Sequence, residues 1–212
     1  MFGLFRKKTN TQTLPDCVWR TRQELFEQLN KTLGNKLNQA HCVLAVAHFD
    51  ESYARLQSFL DASGLSFSRF DHNALHGRSG LSGQQRLMLA HGSDFGEQYP
   101  PVERWDTKKT VYIVSIERYP MAYADQIIAD FSAGLPFVVK LEWHLALDDP
   151  FMKTFGSDRT LDLITANLSQ GECISHKMVT RAIENAQKDL AKKIRGEHRA
   201  ANAEDWFRLN LG

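Results

Sequence analysis

The sequence predicts an α/β domain built on a mostly parallel sheet, with helices added at its C-terminal end. Three observations predict it. Cys42 to Phe49, CVLAVAHF, is a continuous apolar run of strand length, the pattern of a strand buried on both faces. Residues 42 to 70 read strand, helix, strand, and such units assemble parallel sheets. The alternation returns downstream, with a strand from Val111 to Ile116, a helix from Ala122 to Ser132 and a strand from Phe137 to Leu147.

In chain order, Val18, Leu25, Phe26, Leu29 and Leu33 have the spacing of one amphipathic helix, which Gly34-Asn35 is expected to stop. After the Cys42 strand, Asp50 or Ser52 is expected to cap a helix whose inner face carries Tyr53, Leu56, Phe59 and Leu60 and which Gly64 ends. Leu65 to Phe70 is a second strand and Arg86 to His91 a third. Turn-rich segments flank that third strand. Beyond the Phe137 strand the pattern turns helical: Pro150 to Thr154, Asp158 to Leu168, His176 to about His198, and Ala203 to Leu209. Pro150 holds a favoured first helical position, with Asp149 as the expected cap.

Composition bounds the function. The 212 residues fit one domain, or one domain with helical attachments. A net charge of +1, from 26 basic and 25 acidic residues, gives no argument for a nucleic-acid partner. The cysteines Cys17, Cys42 and Cys173 show no CxxC spacing and are odd in number, which points to a reduced, cytoplasmic setting. No apolar run approaches the ~20 residues of a spanning helix. Residues 2 to 8, FGLFRKK, mix Phe2, Leu4 and Phe5 with Arg6, Lys7 and Lys8. They are a candidate for peripheral contact with an anionic membrane.

The most informative residues lie between 140 and 190. The strand runs into Asp148-Asp149. Phe155, Ser157-Asp158-Arg159, Gly171-Glu172, Ile174 and His176 follow, and then Val179-Thr180-Arg181-Ala182-Ile183 with Asn185-Ala186-Gln187. With VYIVSIER ending in Glu117-Arg118, and Asp125-Gln126 after it, this order resembles the second, helicase-like motor domain of the preprotein translocase SecA. The resemblance covers Val111 to about Lys192, with a weaker echo at residues 42 to 70. It implies a bacterial, RecA-like, three-layer domain spanning residues 36–170, between an N-terminal extension (1–35) and a C-terminal helical extension (171–212).

The departures from that family fall on its ATP chemistry. Where the family grips phosphate with arginines, this chain has Ala129, Phe131 and Gly134, none of which supplies a guanidinium. Neither GxxxxGK[ST] nor GxGxxG occurs anywhere. The resemblance therefore implies a non-catalytic binding or regulatory module linked to protein translocation, needing no cofactor. The Sec machinery, ribosomes or preproteins are its expected partners, in the cytoplasm or at the inner membrane. Glu117, Arg118, Asp125 and Gln126 are expected to persist as remnants of a nucleotide site, holding a strand-to-helix corner. Two alternatives stand: half of a nucleotide site completed by a partner, or a small enzyme using the strand ends near His48, Asp50 and His91.

Two further groups of residues are candidates. Lys188, Lys192, Lys193 and Arg195, with Trp206 and Phe207, form a candidate partner-binding surface. His72 and His76, at i,i+4, have metal-ligand spacing on a helix, but DHNALHGRSG reads as a turn and no metal is expected. Asp148 and Asp149 are adjacent along an extended segment, so they point apart and do not suggest a shared proton.

Overall fold

A computed structural model describes residues 10–75, 86–96, 106–154, 166 and 168–212. Its centre is an eight-stranded sheet: β1 (Thr11–Thr13), β2 (Cys17–Trp19), β3 (Cys42–Ala47), β4 (Phe67–Arg69), β5 (Leu87–His91), β6 (Asp106–Ser115), β7 (Phe137–Ala146) and β8 (Ile174–Ser175). The order is β4-β5-β3-β6-β7-β2-β8, with β1 also on β7. Every pairing is parallel except β2 with β8. The predicted α/β class and mostly parallel sheet are what the chain forms.

Strict alternation along the central strands builds two cores. Cys42, Leu44, Val46, Ile113, Val139 and Leu141 face one side, and Val43, Ala45, Ala47, Tyr112 and Val114 the other. Helices α1 (Arg22–Gln39) and α2 (Asp50–Ser63) cover the second side through Leu25, Leu29, Leu33, Leu56 and Leu60. Helices α4 (Ala122–Gly134) and α6 (Lys177–Lys193) cover the first through Ile128, Phe131, Val179, Ile183 and Leu190. Short helices α3 (His72–Leu75) and α5 (Pro150–Lys153), a 3-10 turn (Gly92–Phe95) and the terminal α7 (Ala203–Leu211) complete the described elements.

Several expected boundaries move. Val18 lies in β2, not in the first helix. Residues 10–19 instead run along one edge of β7 as β1 and β2, interrupted around Pro15, which has no N–H to donate. Gly34-Asn35 does not stop α1, which continues to Gln39. A helical glycine costs about 1 kcal/mol relative to alanine. Leu37 packing on the core and Lys36 pairing with Glu142 outweigh that cost. Gly64 does end α2, at φ 73°, a conformation glycine adopts without strain. The last long helix stops at Lys193 and does not reach His198, while the final helix extends to Leu211. The expected helix from Asp158, the motif around Phe155 and Ser157-Asp158-Arg159, His76, and residues 2 to 8 lie outside the described residues. Among the described residues, no helix is long and apolar enough to cross a membrane.

Candidate functional site

After β3 the chain enters α2 on one face of the sheet. After the neighbouring β6 it enters α4 on the opposite face. The crevice between two such strand ends is where open α/β sheets bind ligands. In this protein Glu117 fills it. Its Oε1 accepts the backbone N–H groups of His48 (2.8 Å) and Phe49 (3.1 Å), and its Oε2 accepts the Ser52 hydroxyl (2.7 Å). These donors crowd the N-terminus of α2, where the helix dipole and unpaired amides favour an anion. A carboxylate of the chain thus occupies the place a bound anion would take. The cap expected of Asp50 or Ser52 is not made: no side chain caps α2. Asp50 is instead the first helical residue, with an exposed side chain, and Ser52 donates to Glu117.

Arg118, the next residue, turns to the other core. Its Nε and Nη2 donate to the two oxygens of Asp16 (2.8 and 3.1 Å), and its Nη1 donates to Asp125 (3.1 Å). The guanidinium carbon sits 3.7 Å from the Trp143 ring centroid. Asp125 also accepts from the Tyr119 N–H and from Gln187 Nε2 (2.6 Å). His48 Nε2 lies 3.1 Å from Asp125 Oδ1, outside the alignment of a good hydrogen bond. Burial works to raise the Asp125 pKa, but Arg118, His48 and Gln187 outweigh it and hold the carboxyl below its usual range. Arg118 and Asp125 are therefore brought together, while Glu117 stands apart on the opposite side of the sheet. Gln126 lines the same pocket of about 270 Å³ as Arg118 and Asp125, but its amide is exposed and donates to Asp130.

A pocket of about 300 Å³ opens beside Glu117, lined by Arg22, Glu51, Arg55, Asp148, Asp149 and Glu204 among others. Arg22 Nη2 meets Asp149 at 2.7 Å and Glu117 at 3.8 Å, while the Arg22 backbone N–H donates to Asp148. Both acids thus converge on Arg22, Asp148 at its backbone N–H and Asp149 at its guanidinium. Asp149 begins α5, but its side chain does not cap that helix, since Oδ2 accepts the Ala146 N–H (2.8 Å). Burial pushes the Asp149 pKa up to about 6; Arg22 and that N–H oppose the rise, and Glu117 and Asp148 add to it.

A second pocket, of about 500 Å³, brings His48, Asp50 and His91 together with Tyr119, Tyr123 and Arg199. His91 Nε2 lies 3.6 Å from Asp50 Oδ1. The stretch between α6 and α7 closes one side: Glu197 accepts from Tyr119 (2.5 Å), Tyr123 (2.8 Å) and Trp206 Nε1 (2.7 Å). Trp206 is therefore fully buried, edge-on to Tyr119, and Phe207 stacks on Phe151. Trp206 cannot be an exposed binding aromatic, because its indole serves as a core anchor. Lys188, Lys192, Lys193 and Arg195 are exposed, as a partner surface requires. Of the replaced arginine positions, Phe131 packs with Phe70 and Phe95, Ala129 packs against the same core and Gly134 ends α4.

The residues missed from sequence are Asp16, Arg22, Trp143, Gln187 and Glu197. Gln187 stood within a quoted motif, but its partner Asp125 is 62 positions away. Cys17, Glu142 and His144 also meet, with ligand-type atoms within 4.8 Å of one another. Their donors already have partners. His144 Nδ1 accepts from Trp19 Nε1 (2.9 Å), which places the ring proton on Nε2, facing Glu142 (3.1 Å). Lys36 pairs with the other Glu142 oxygen. An imidazole so arranged offers a metal no lone pair.

Comparison with known proteins bears on these features. The chain is 27% identical over 191 residues to the protein translocase subunit SecA of Oleidesulfovibrio alaskensis, covering 82% of this chain and 21% of that protein. It is 29% identical over 184 residues to SecA of Solidesulfovibrio magneticus, covering 82% and 22%. A shorter match, 34% over 81 residues, links 38% of the chain to 9% of SecA from Nitrosomonas eutropha. The chain is SecA-like in sequence. It spans about a fifth of the SecA proteins it matches along most of its length. No family model matches it. A solved structure, the C-terminal part of the Fun30 ATPase domain, aligns with 81% of this SecA-like chain and 54% of its own, at TM-score 0.44 and 13% identity.

Proposed function

We propose that this SecA-like domain is a non-catalytic binding module of protein translocation. The observation that carries the reading is Glu117 seated on the His48 and Phe49 amides. A nucleotide phosphate needs such donors, and here an internal carboxylate holds them. The adjoining pocket adds Glu51, Asp148, Asp149 and Glu204 around Arg22, a field that repels polyphosphate. Phe131 stands in the core where a phosphate-gripping arginine is expected. Glu117 on one side of the sheet and the Arg118–Asp125 pair on the other then hold the strand-to-helix corner, with Gln126 at the edge of the Arg118 pocket. The exposed face of α6, with Lys188, Lys192 and Lys193, and Arg195 just beyond its end, is the contact surface for an acidic patch on the Sec machinery, a ribosome or a preprotein. The division into 1–35, 36–170 and 171–212 belongs to this reading as its order of function: extension, SecA-like body, contact helix.

Steady-state phosphate release and nucleotide binding on the purified chain test the first half. The expected result is no turnover and no binding of ATP. Motor-like turnover, abolished by Glu117→Gln, overturns it. Nucleotide binding only after addition of a purified partner selects the shared nucleotide site instead. Co-sedimentation with ribosomes, Sec-containing vesicles or an unfolded preprotein tests the second half. Charge reversal at Lys188, Lys192, Lys193 and Arg195 is expected to weaken capture at least tenfold; capture of none of the three overturns the translocation reading. One observation favours a second reading, the pocket of about 500 Å³ holding His48, Asp50 and His91. A small-molecule screen by thermal shift, with His91→Ala as control, discriminates it.

A further inference from the structure

Remote from both pockets, two cysteines 156 positions apart meet on one face of the sheet. Strands β2 and β8 pair antiparallel, Cys17 opposite Ser175 and Val18 opposite Ile174. Continuing this register sets Trp19 against Cys173, so Cys17 and Cys173 are diagonal neighbours on the same face. Cys173 packs against the core cluster that holds Trp19, on the face where Cys17 lies. Both are free thiols, Cys17 buried and Cys173 half-exposed.

The surroundings make the two thiols unequal. The single S–H of Cys17 has two acceptors, Glu142 Oε1 at 3.3 Å and the Cys173 sulfur. The Cys173 pKa falls below that of an ordinary thiol, because the Cys17 thiol, a backbone N–H and the Lys36 ammonium outweigh burial and the Glu142 charge. Cys17 is pushed the other way, by donating to Cys173, by burial and by Glu142. A reactive, accessible thiolate beside a protected thiol is the arrangement of a sulfur centre that is oxidised and then resolved.

We propose that Cys17 and Cys173 form a reversible intramolecular disulfide, with Cys173 the thiol that attacks a peroxide and Cys17 the resolving thiol. In the first step the Cys173 thiolate attacks one peroxide oxygen and the O–O bond breaks. Cys173 becomes a sulfenic acid, and the leaving hydroxide takes a proton to become water. In the second step the Cys17 proton departs by way of Glu142, the Cys17 sulfur attacks the Cys173 sulfur, and the S–O bond breaks to release a second water. Two thiols lose two electrons in total, and the peroxide gains both. A dithiol reductant reverses the reaction by thiol–disulfide exchange. A disulfide needs its Cβ atoms about 3.8 Å apart, and the required adjustment falls on β8, a two-residue edge strand following Gly171 at φ 73°. The bond would pin β2 to the turn that leads into α6.

Peptide mapping of the folded chain without reduction, after stoichiometric hydrogen peroxide, tests this. The expected product is the tryptic peptide containing Cys17 joined to that containing Cys173, with Cys42 still free and the link lost on adding dithiothreitol. Cys42 serves as internal control, since burial pushes its pKa up to about 12. Cys17→Ser is expected to halt the reaction at a Cys173 sulfenic acid that dimedone captures. Iodoacetamide labelling of Cys173 is expected to reach half its maximal rate well below the pH of about 8.5 that marks a free thiol. Oxidation of Cys173 to sulfinic acid in the unaltered chain with no link to Cys17, survival of both thiols, or prior reaction of Cys42 would each overturn the proposal. If Cys17→Ser fails to fold, mapping of the unaltered chain still decides.

Discussion

Gly92 lies so close to His48 that a Cβ at position 92 would come within 2.5 Å of His48 Nδ1. The contact joins the end of β5 to the end of β3 and sets the floor of the larger strand-end pocket. The His48 ring is held on its other side by Asp125 and cannot withdraw freely. Gly92→Ala is expected to destabilise the fold by about 1 to 3 kcal/mol, the usual cost of overpacking a filled site. Gly96→Ala is its control. A Cβ there meets only the Ser93 carbonyl at an ordinary 3.6 Å, and the expected change is within about 0.5 kcal/mol. Urea denaturation of both variants checks this, and equal effects would mean that the His48 contact is not tight.

Arg118 carries a larger share of stability. It neutralises two buried carboxylates, Asp16 and Asp125, so its removal leaves both without a counter-charge. Arg118→Met keeps much of the side-chain volume and the contact with Trp143. The expected loss is still about 3 to 5 kcal/mol, the cost of stranding a buried charge. The loss should shrink when Asp16→Asn and Asp125→Asn are added, and a double-mutant cycle with no coupling would refute the clamp.

The sheet was legible because its signal is local. Six consecutive buried residues in β3, the apolar run from Val111 to Val114 in β6 and the alternation along β7 can be read without knowing their neighbours. β1, β2 and β8 are two or three residues long and exist only because β7 offers an edge to β1 and β2, and β2 in turn to β8, so no window of sequence displays them. The site divides the same way. Glu117, Arg118 and Asp125 stood out within a motif. Asp16 and Arg22 carry no local mark of burial or pairing, since each acquires its partner from more than 90 residues away. Trp206 was misjudged for a related reason. A terminal aromatic beside lysines has the same sequence pattern whether it faces solvent or anchors a core, and only Glu197 and Tyr119 decide it.

Asp149 gives stability an unusual pH dependence. Its folded pKa, about 6, lies above the roughly 3.9 of an unfolded aspartate. Between those values the folded state binds the proton more tightly, so the Asp149 contribution grows as pH falls from 6 to 4 and is lost as pH rises through 6. Glu142 acts in the opposite sense. Burial works to raise its pKa, but His144 and Lys36 bring it down to about 2, so its contribution is present at neutral pH and is lost as pH falls from about 4 towards 2. The stability of the native chain relative to Asp149→Asn is expected to rise on the order of 2 kcal/mol between pH 7 and pH 4. Chemical denaturation at a series of pH values reads it directly; a flat difference would mean that Arg22 keeps Asp149 at an ordinary pKa.

The C-terminal helices separate a fold-holding residue from a contact surface. Trp206 is fully buried, donates to Glu197 and packs edge-on against Tyr119 and Phe207. Lys192 and Lys193 stand exposed one helix earlier, Lys192 in a solvent-facing pair with Asp189. Trp206→Ala is expected to cost about 3 to 5 kcal/mol, in the range of a large aromatic removed from a core. It should also detach α7 from the strand ends, which limited proteolysis after Arg195 or Arg199 would reveal. Lys192→Glu with Lys193→Glu is expected to change stability by no more than about 0.5 kcal/mol, as exposed charges usually do. The same pair should slow association with an acidic partner and steepen no unfolding transition, because surface charge acts chiefly on encounter. Stopped-flow association at two ionic strengths, alongside urea curves, distinguishes the two classes. A lysine pair that unfolds the domain, or a Trp206→Ala variant as stable as the native chain, would reverse the assignment of anchor and surface.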